Sequence, residues 1–261
     1  MYNVGIIYRD KGYHEKAIQW WNKAASYGHS FAKVCLGLAY ENGHGVKKDL
    51  NKAFELFSEA ADVDNPLGLA HLARCYRDGI GVEKDLDKMA ECLAKARELD
   101  NSFALLLTAE AYLDGLLPSE TPYHAAMECY ERAAELGDTD AQAWCGEVYA
   151  MGKAPIEQDL EKGLYWLEKA VAANHPRAKF IVAVLLAQGD GHERDPVRAF
   201  QLCEELAREG KPYAQRMLGM MYARGDGTTQ DQEQAIKWLQ KAIENGDEEA
   251  EKYLAHILGP D

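Results

Sequence analysis

Apolar positions along the chain recur with the spacing of helices that bury one face. Leu36 and Tyr40 lie four residues apart and therefore on the same side of a helix. Gly43 and Gly45 follow, and glycine accepts the left-handed backbone geometry at which helices end. A second helix is predicted after Asp49, a residue type that caps helix N-termini, and its apolar face comprises Ala53, Leu56, Phe57 and Ala60. The two helices predict an antiparallel hairpin that needs neighbours to cover its remaining apolar surface.

This hairpin recurs along nearly the whole chain. One column reads Tyr40, Tyr76, Tyr112, Tyr149, Leu186 and Tyr222, at intervals of 36 or 37 residues. A small residue three positions earlier recurs as Gly37, Ala73, Ala109, Gly146, Ala183, Gly219 and Ala255. Expected helix caps recur as Asp49, Asp85, Asp159, Asp195 and Asp231. Because self-similarity at a fixed period indicates a solenoid, we predict an all-α fold, a right-handed α-solenoid of stacked antiparallel helix hairpins.

The repeats are expected to form a single solenoid over residues 1–261. Its predicted units are residues 1–29, 30–65, 66–101, 102–138, 139–175, 176–211 and 212–247. The first unit is shorter because it lacks the glycine-rich loop. Residues 248–258 copy a first helix without a second, and their charged face predicts a C-terminal capping helix.

The columns together resemble the Sel-one-like repeat (SLR) family, relatives of the tetratricopeptide repeats, over essentially the whole chain. The family pattern A-x-x-x-L-G-x-x-Y-x-x-G-x-G-V-x-x-D-x-x-K-A is matched by Ala32, Leu36, Gly37, Tyr40, Gly43, Gly45, Val46, Asp49, Lys52 and Ala53. Two units depart from it, with Leu116–Ser119 in the fourth and a longer loop around Lys153 in the fifth. The resemblance implies an adaptor in signalling, secretion-related or quality-control complexes. It also implies, for some bacterial members, an immunity protein that neutralises a toxic effector.

The first helix of each hairpin is expected to face a protein partner. In a right-handed stack these helices line the concave side, where their outward positions are free of packing. Many of those positions are apolar, which is typical of a binding surface. The expected groove residues are Tyr2, Ile6, Arg9, Val34, Leu38, Glu41, Arg74, Arg77, Leu106, Glu110, Leu113, Glu147, Phe180, Val184, Arg216, Met220 and Arg224.

Two alternatives stay open for this surface. Val34, Leu106 and Phe180 can instead pack against the neighbouring first helix. Arg74, Arg77, Arg216 and Arg224 are the stronger candidates, because guanidinium groups suit pairing with a partner's carboxylates. Leu116 and Leu117 form a second candidate contact loop, with folding back onto their own hairpin as the alternative.

The charge of the chain limits the class of partner. A formal charge of −14 disfavours binding to nucleic acid, because neutralising phosphates requires clustered Lys and Arg. No apolar run reaches the roughly 20 residues that span a bilayer, so membrane insertion is not expected. No signal peptide is visible at the start of the sequence, and the expected location is cytoplasmic. A periplasmic or exported location is the alternative if a signal peptide precedes this sequence.

The cysteines do not show the spacing of a metal site. The six residues Cys35, Cys75, Cys92, Cys129, Cys145 and Cys203 contain no C-x-x-C and mostly occupy apolar repeat positions, so buried thiols are expected. His71, Cys75 and Cys92 could together approach a zinc site, but packing positions explain them better. A Cys75–Cys92 disulfide is conceivable in an exported protein. We expect no metal and no cofactor.

No catalytic motif is present, and we expect no catalytic residues, no enzyme activity and no small-molecule substrate. The sequence lacks a phosphate-binding glycine loop, H-E-x-x-H and G-x-S-x-G. The expected function is therefore a non-enzymatic scaffold or adaptor that holds a protein segment or domain in the concave groove. A stoichiometric inhibitor, such as an immunity protein, is the alternative from another class, and a hydrolase is the third.

Overall fold

A computed structural model describes residues 1–189 and 193–259. Within these ranges the chain forms fifteen α-helices and no strand. The helices are α1 (Tyr2–Asp10), α2 (His14–Ser26), α3 (Ser30–Asn42), α4 (Leu50–Ala61), α5 (Pro66–Asp78), α6 (Leu86–Glu98), α7 (Ser102–Leu113), α8 (Pro122–Glu135), α9 (Thr139–Met151), α10 (Leu160–Ala172), α11 (Pro176–Gln188), α12 (Pro196–Arg208), α13 (Pro212–Arg224), α14 (Gln232–Glu244) and α15 (Glu249–Leu258). None of these described helices is both long and apolar enough to cross a membrane.

The helices divide into two compact units. The first unit, Met1–Asp138, contains α1 to α8, and the second unit, Thr139–Asp261, contains α9 to α15. From α1 to α14 every odd-numbered helix packs on the helix that follows it, and within each unit each such hairpin packs on the next, with α15 packed on α14. The prediction of an all-α solenoid of helix hairpins is confirmed. A single continuous array over both units stays a prediction.

Aspartate starts the second helix of most hairpins, as the sequence predicts. The side chain of Asp49 accepts from the backbone N–H of Lys52 at 3.0 Å, which satisfies one of the donors left free at a helix start. The backbone N–H of Asp49 donates to the carbonyl of Tyr40 at 2.9 Å and so closes the loop between the two helices. The same side-chain cap is made by Asp85, Asp159, Asp195 and Asp231.

The column of small residues lies where the two helices of a hairpin cross. A Cβ built on Gly37 would come within 2.5 Å of the Phe57 ring, which is fully buried. At Gly146 a Cβ would approach both the side chain and the backbone nitrogen of Leu167, at 2.6 and 2.8 Å. The close approach that the sequence predicts for this column is confirmed.

The second glycine of three of the described loops makes a contact that the sequence pattern did not indicate. Gly81 has a φ of +67°, and its Cα lies so close to the preceding repeat that an added Cβ would collide with the Leu50 carbonyl. Leu50 is the first residue of α4, so the loop after α5 rests on the start of the preceding second helix. Gly45 against His14 and Gly227 against the Pro196 carbonyl repeat the arrangement. These second glycines therefore join hairpins, whereas the first glycine of the same loops, at Gly43, Gly79 and Gly225, ends the helix.

The loop of the fourth repeat packs against the core of the first unit. Leu116 and Leu117 are partly buried on the hydrophobic core of the first unit. Both of their backbone N–H groups donate to the carbonyl of Ala111, at 2.8 and 3.2 Å. The loop folds back on its own unit, which was the alternative for these residues, and the expectation of an outward contact is corrected.

The last helix covers the end of the second unit. α15 buries Ala250 against Leu239 and Ala242 of α14, while Tyr253 and Leu254 pack on the same cluster. Its outer face carries exposed Glu and Lys side chains. A capping helix at this position agrees with the sequence prediction.

Gly81 gives a direct test of the contact between repeats. We expect Gly81→Ala to lower the free energy of unfolding by about 2–4 kcal/mol, because strain at positive φ adds to the collision with the Leu50 carbonyl. Gly115 is a matched control, since its φ is +70° but a Cβ there meets nothing within 4 Å. Gly115→Ala should cost only about 1 kcal/mol. Equal losses for the two variants in urea unfolding would contradict this account of the contact.

Candidate partner-binding surface

Five of the expected surface residues in the second unit line one depression. It lies between α11 and α13 and has a volume of about 400 Å³. The sequence-predicted residues in its wall are Phe180, Val184, Arg216, Met220 and Arg224. The structure therefore brings together residues that are up to 44 positions apart in the chain (180 to 224). Volumes of this size are typical of sites that hold apolar groups.

The floor of the depression is held by packing against the core of the second unit. Phe180 meets Tyr213 edge to face, with ring centroids 4.6 Å apart. Met221 is buried, and Met217 packs on the same core cluster. Burial raises the pKa of the Tyr213 phenol, which stays protonated at neutral pH. The result is an apolar floor packed on the core of the second unit.

Sequence reasoning missed two residues of this floor. Tyr213 and Met217 lie four residues apart on α13 and both line the depression. On α13 the sequence-predicted line passed through Arg216, Met220 and Arg224. Tyr213 lies three positions before Arg216, and Met217 lies three positions before Met220, so both lie beside that line and a wider stripe would have included them.

Ion pairs close parts of the rim. Arg194 donates to Asp226 at 2.9 Å and to the carbonyl of Ala187 at 2.8 Å. Arg216 is paired with Asp247 at 2.8 Å and with Glu249 at 2.9 Å. Two of the three arginines around the depression are therefore neutralised by carboxylates of the same chain.

Arg224 differs from these two arginines. Its side chain is exposed at the end of α13, and among the described residues it has no ion-pair partner. The guanidinium group is consequently available for a carboxylate from outside the chain.

In the first unit the predicted arginines are already paired. Arg74 donates to Glu41, on the preceding first helix, at 2.6 Å. Arg77 pairs with its neighbour Asp78 at 2.8 Å and with Glu110, on the following first helix, at 3.2 Å. Arg74, Arg77 and Arg216 therefore already pair with carboxylates of adjacent repeats, and a contact of these three arginines with a partner stays a prediction.

Two further expected groove residues are buried. Val34 is only 2% exposed and belongs to the core of the first unit, so packing against neighbours was the right alternative for it. Glu147 is 7% exposed and pairs with Lys153 and Arg177. Lys153 belongs to the longer loop of the fifth repeat, which brings its ammonium group over α9. The assignment of these two residues to an accessible groove is corrected.

The remaining expected residues of the first unit keep accessible surface. Leu113 and Glu110 are exposed on α7, and Arg9 is exposed on α1. Arg9 and Leu38 line a small cavity of about 80 Å³ next to Trp21. Partly exposed positions are Tyr2, Ile6, Leu38, Glu41 and Leu106, and Tyr2 stacks on His29 with ring centroids 4.6 Å apart.

The group His71, Cys75 and Cys92 is a packing arrangement. The His71 ring stacks on Phe57 at 4.9 Å and lies 5.0 Å from the Phe103 ring. Burial, with the nearby Arg74 charge, lowers the pKa of His71 to about 4. Burial raises the pKa of Cys75 to about 12 and that of Cys92 to about 11, so both stay protonated, and both are free thiols. No group of three metal-ligating side chains suited to an ion occurs in the described ranges.

Comparisons with known proteins agree with this architecture. The family model described as Sel1 repeat matches residues 1–29, 32–65, 66–101, 102–138, 139–175, 176–211 and 212–247. A Sel1 repeat protein from Oxalobacter formigenes is similar in structure, with 27% identity, a TM-score of 0.76, and coverage of 94% of this chain and 99% of that chain. A protective antigen of uropathogenic Escherichia coli that displays an SLR fold has 26% identity, a TM-score of 0.51, and coverage of 94% and 62%.

A third solved structure is more distant. An immunity protein from Pseudomonas aeruginosa has 18% identity, a TM-score of 0.48, and coverage of 89% of this chain and 75% of that chain. No functionally curated protein matches the chain.

The ion pair between Arg74 and Glu41 should stabilise the fold. Their side chains are only 22% and 13% exposed. We expect Arg74→Glu to lower the free energy of unfolding by about 2 kcal/mol, because it places two carboxylates together in a partly buried site. The exchanged pair Arg74→Glu with Glu41→Arg should restore most of that loss. Arg132→Glu, which breaks an exposed pair with Asp100, is the control and should cost less. A failure of the exchanged pair to recover stability in urea unfolding would contradict the assignment.

Proposed function

Because the chain belongs to the Sel1 repeat family, whose members mediate protein–protein interaction, we propose that it is a non-enzymatic scaffold or adaptor that binds a protein partner on its first helices. The resemblance found in the sequence is confirmed by the seven matched repeats. The first-helix face as the binding surface is our own inference from the residues that the repeats place there.

The depression between α11 and α13 is the observation that carries the proposal. It combines an apolar floor, made by Phe180, Val184 and Met217, with an exposed cation at Arg224. An apolar centre with charged groups at its edge is typical of protein interfaces. The acidic chain, with a formal charge of −14, favours a protein partner over a nucleic acid.

Two parts of the expected function stay predictions. The inhibitor role was the alternative, and the immunity protein is too distant in structure to support it here. For the location we propose a reducing compartment such as the cytoplasm. The buried thiols of Cys75 and Cys203, whose pKa values burial raises to about 12, support this choice because they are packed as core side chains.

Matched double variants test which helices bind the partner. Leu113→Glu with Val184→Glu changes the first helices of both units, at side chains with accessible surface. Leu86→Glu with Val197→Glu makes the same replacements on second helices, where these residues are 43% and 55% exposed. Each double variant and the unmodified chain would be used to capture proteins from a native lysate, with cross-linking and mass spectrometry. Circular dichroism would confirm that both variants fold.

We expect the first-helix variant to recover about tenfold less of the partner, which corresponds to about 1.4 kcal/mol, because two charges enter an apolar interface. The second-helix variant should recover as much as the unmodified chain. Loss of the partner with the second-helix variant alone would contradict the proposed surface.

A further inference from the structure

α13 separates two depressions on the first-helix side of the second unit. The depression between α11 and α13 has a volume of about 400 Å³, and one between α13 and α15 has a volume of about 330 Å³. The second depression is lined by Tyr253, His256 and Ile257 of α15, with Gln232 and Ala223. Met220 and Arg224 line both. The two sites therefore share one wall and can be filled by neighbouring side chains of one ligand.

The shared wall combines an adaptable apolar residue with a charge. Met220 is partly exposed, and its unbranched thioether can adjust to apolar side chains of different shape on either side. Arg224 follows one helical turn later and points its exposed guanidinium group from the same face. Arg224 therefore lies between the apolar depression next to α11 and a mixed one, in which Tyr253 and Ile257 lie beside polar side chains of α14 and α15.

Charge complementarity indicates which group of a partner would bind Arg224. Arg194 and Arg216 are each neutralised by a carboxylate of the chain, whereas Arg224 has no such partner within the described ranges. The chain as a whole is strongly acidic, so a polyanion such as nucleic acid is repelled. One guanidinium between two depressions that both offer apolar side chains suits a single carboxylate, which it can bind with two parallel hydrogen bonds.

We propose that this surface binds a protein segment in which an Asp or Glu lies between two large apolar side chains. Each apolar side chain fills one depression, and the carboxylate pairs with Arg224. The inference rests on the proposed function, because it names the partner chemistry at one part of the first-helix face.

A random peptide library displayed on phage would test this inference on the full chain. The peptides enriched by the unmodified chain are expected to share an acidic residue flanked by large apolar residues. Synthetic peptides of the enriched sequence would then be titrated by fluorescence anisotropy. Arg224→Glu should weaken their binding about tenfold, because it replaces an attraction with a repulsion. Met220→Ala should weaken it also, by removing apolar contact with both side chains.

Two controls separate this effect from a general change in charge or folding. Lys237→Glu makes a charge change of the same size at an exposed position of the second helix α14, and it should leave the affinity unchanged. A peptide in which Lys replaces the acidic residue should bind Arg224→Glu better than it binds the unmodified chain. Thermal unfolding of each variant would show that the fold is retained.

The inference is overturned if no peptide is enriched, if the enriched peptides lack the acidic residue, or if Arg224→Glu and Lys237→Glu affect binding equally. The proposed function would survive that outcome if the double variant Leu113→Glu with Val184→Glu still lost its partner. If the peptide experiment failed and the double variant also kept its partner, the first-helix surface as a whole would be rejected.

Discussion

The contact between a loop glycine and the preceding repeat is the constraint on which the rest of each unit depends. A single hairpin leaves apolar surface uncovered, so it must lie close against its neighbour. Gly81 permits this because its backbone lies directly on the first turn of α4 at Leu50, where any side chain would collide. The contact sets the position of α5 relative to the hairpin before it. The surface formed by successive first helices follows from that position.

Polar side chains add a second set of links between repeats. Arg74 of α5 reaches Glu41 of α3, and Arg216 of α13 reaches Glu249 of α15, in each case from one repeat to an adjacent element of the array. These pairs use positions that the repeat pattern leaves variable. A cation that is paired in this way supports the stack, and a cation without an internal carboxylate, such as Arg224, is left for a partner. The same guanidinium chemistry therefore serves structure at some repeats and, in our proposal, recognition at another.

Much of the fold could be predicted from the sequence, because columns such as Gly37 and Asp49 report local requirements. A close helix crossing needs a small residue, and a helix start needs a side-chain acceptor. The candidate site was less predictable. Val34 and Leu113 belong to the same expected line and are both apolar, but Val34 is 2% exposed and Leu113 is 37% exposed. Val34 lies inside α3 and packs in the core cluster of the first unit, whereas Leu113 is the last residue of α7, and an apolar periodicity alone does not separate the two cases.

Charged positions show the same limit. Glu147 reads as a solvated acid, yet it is buried because the longer loop after α9 brings Lys153 to it. The pairing of Arg74 depends on a glutamate 33 positions away. Sequence patterns indicate where a surface lies, whereas the neighbouring repeat decides which of its residues are available.

Hydrogen–deuterium exchange of the chain with and without its captured partner tests the central claim most directly. If the first helices form the binding surface, amides in α11, α13 and α15 should exchange more slowly in the complex, while those in α10, α12 and α14 should be unchanged. Protection confined to the second helices would contradict the account.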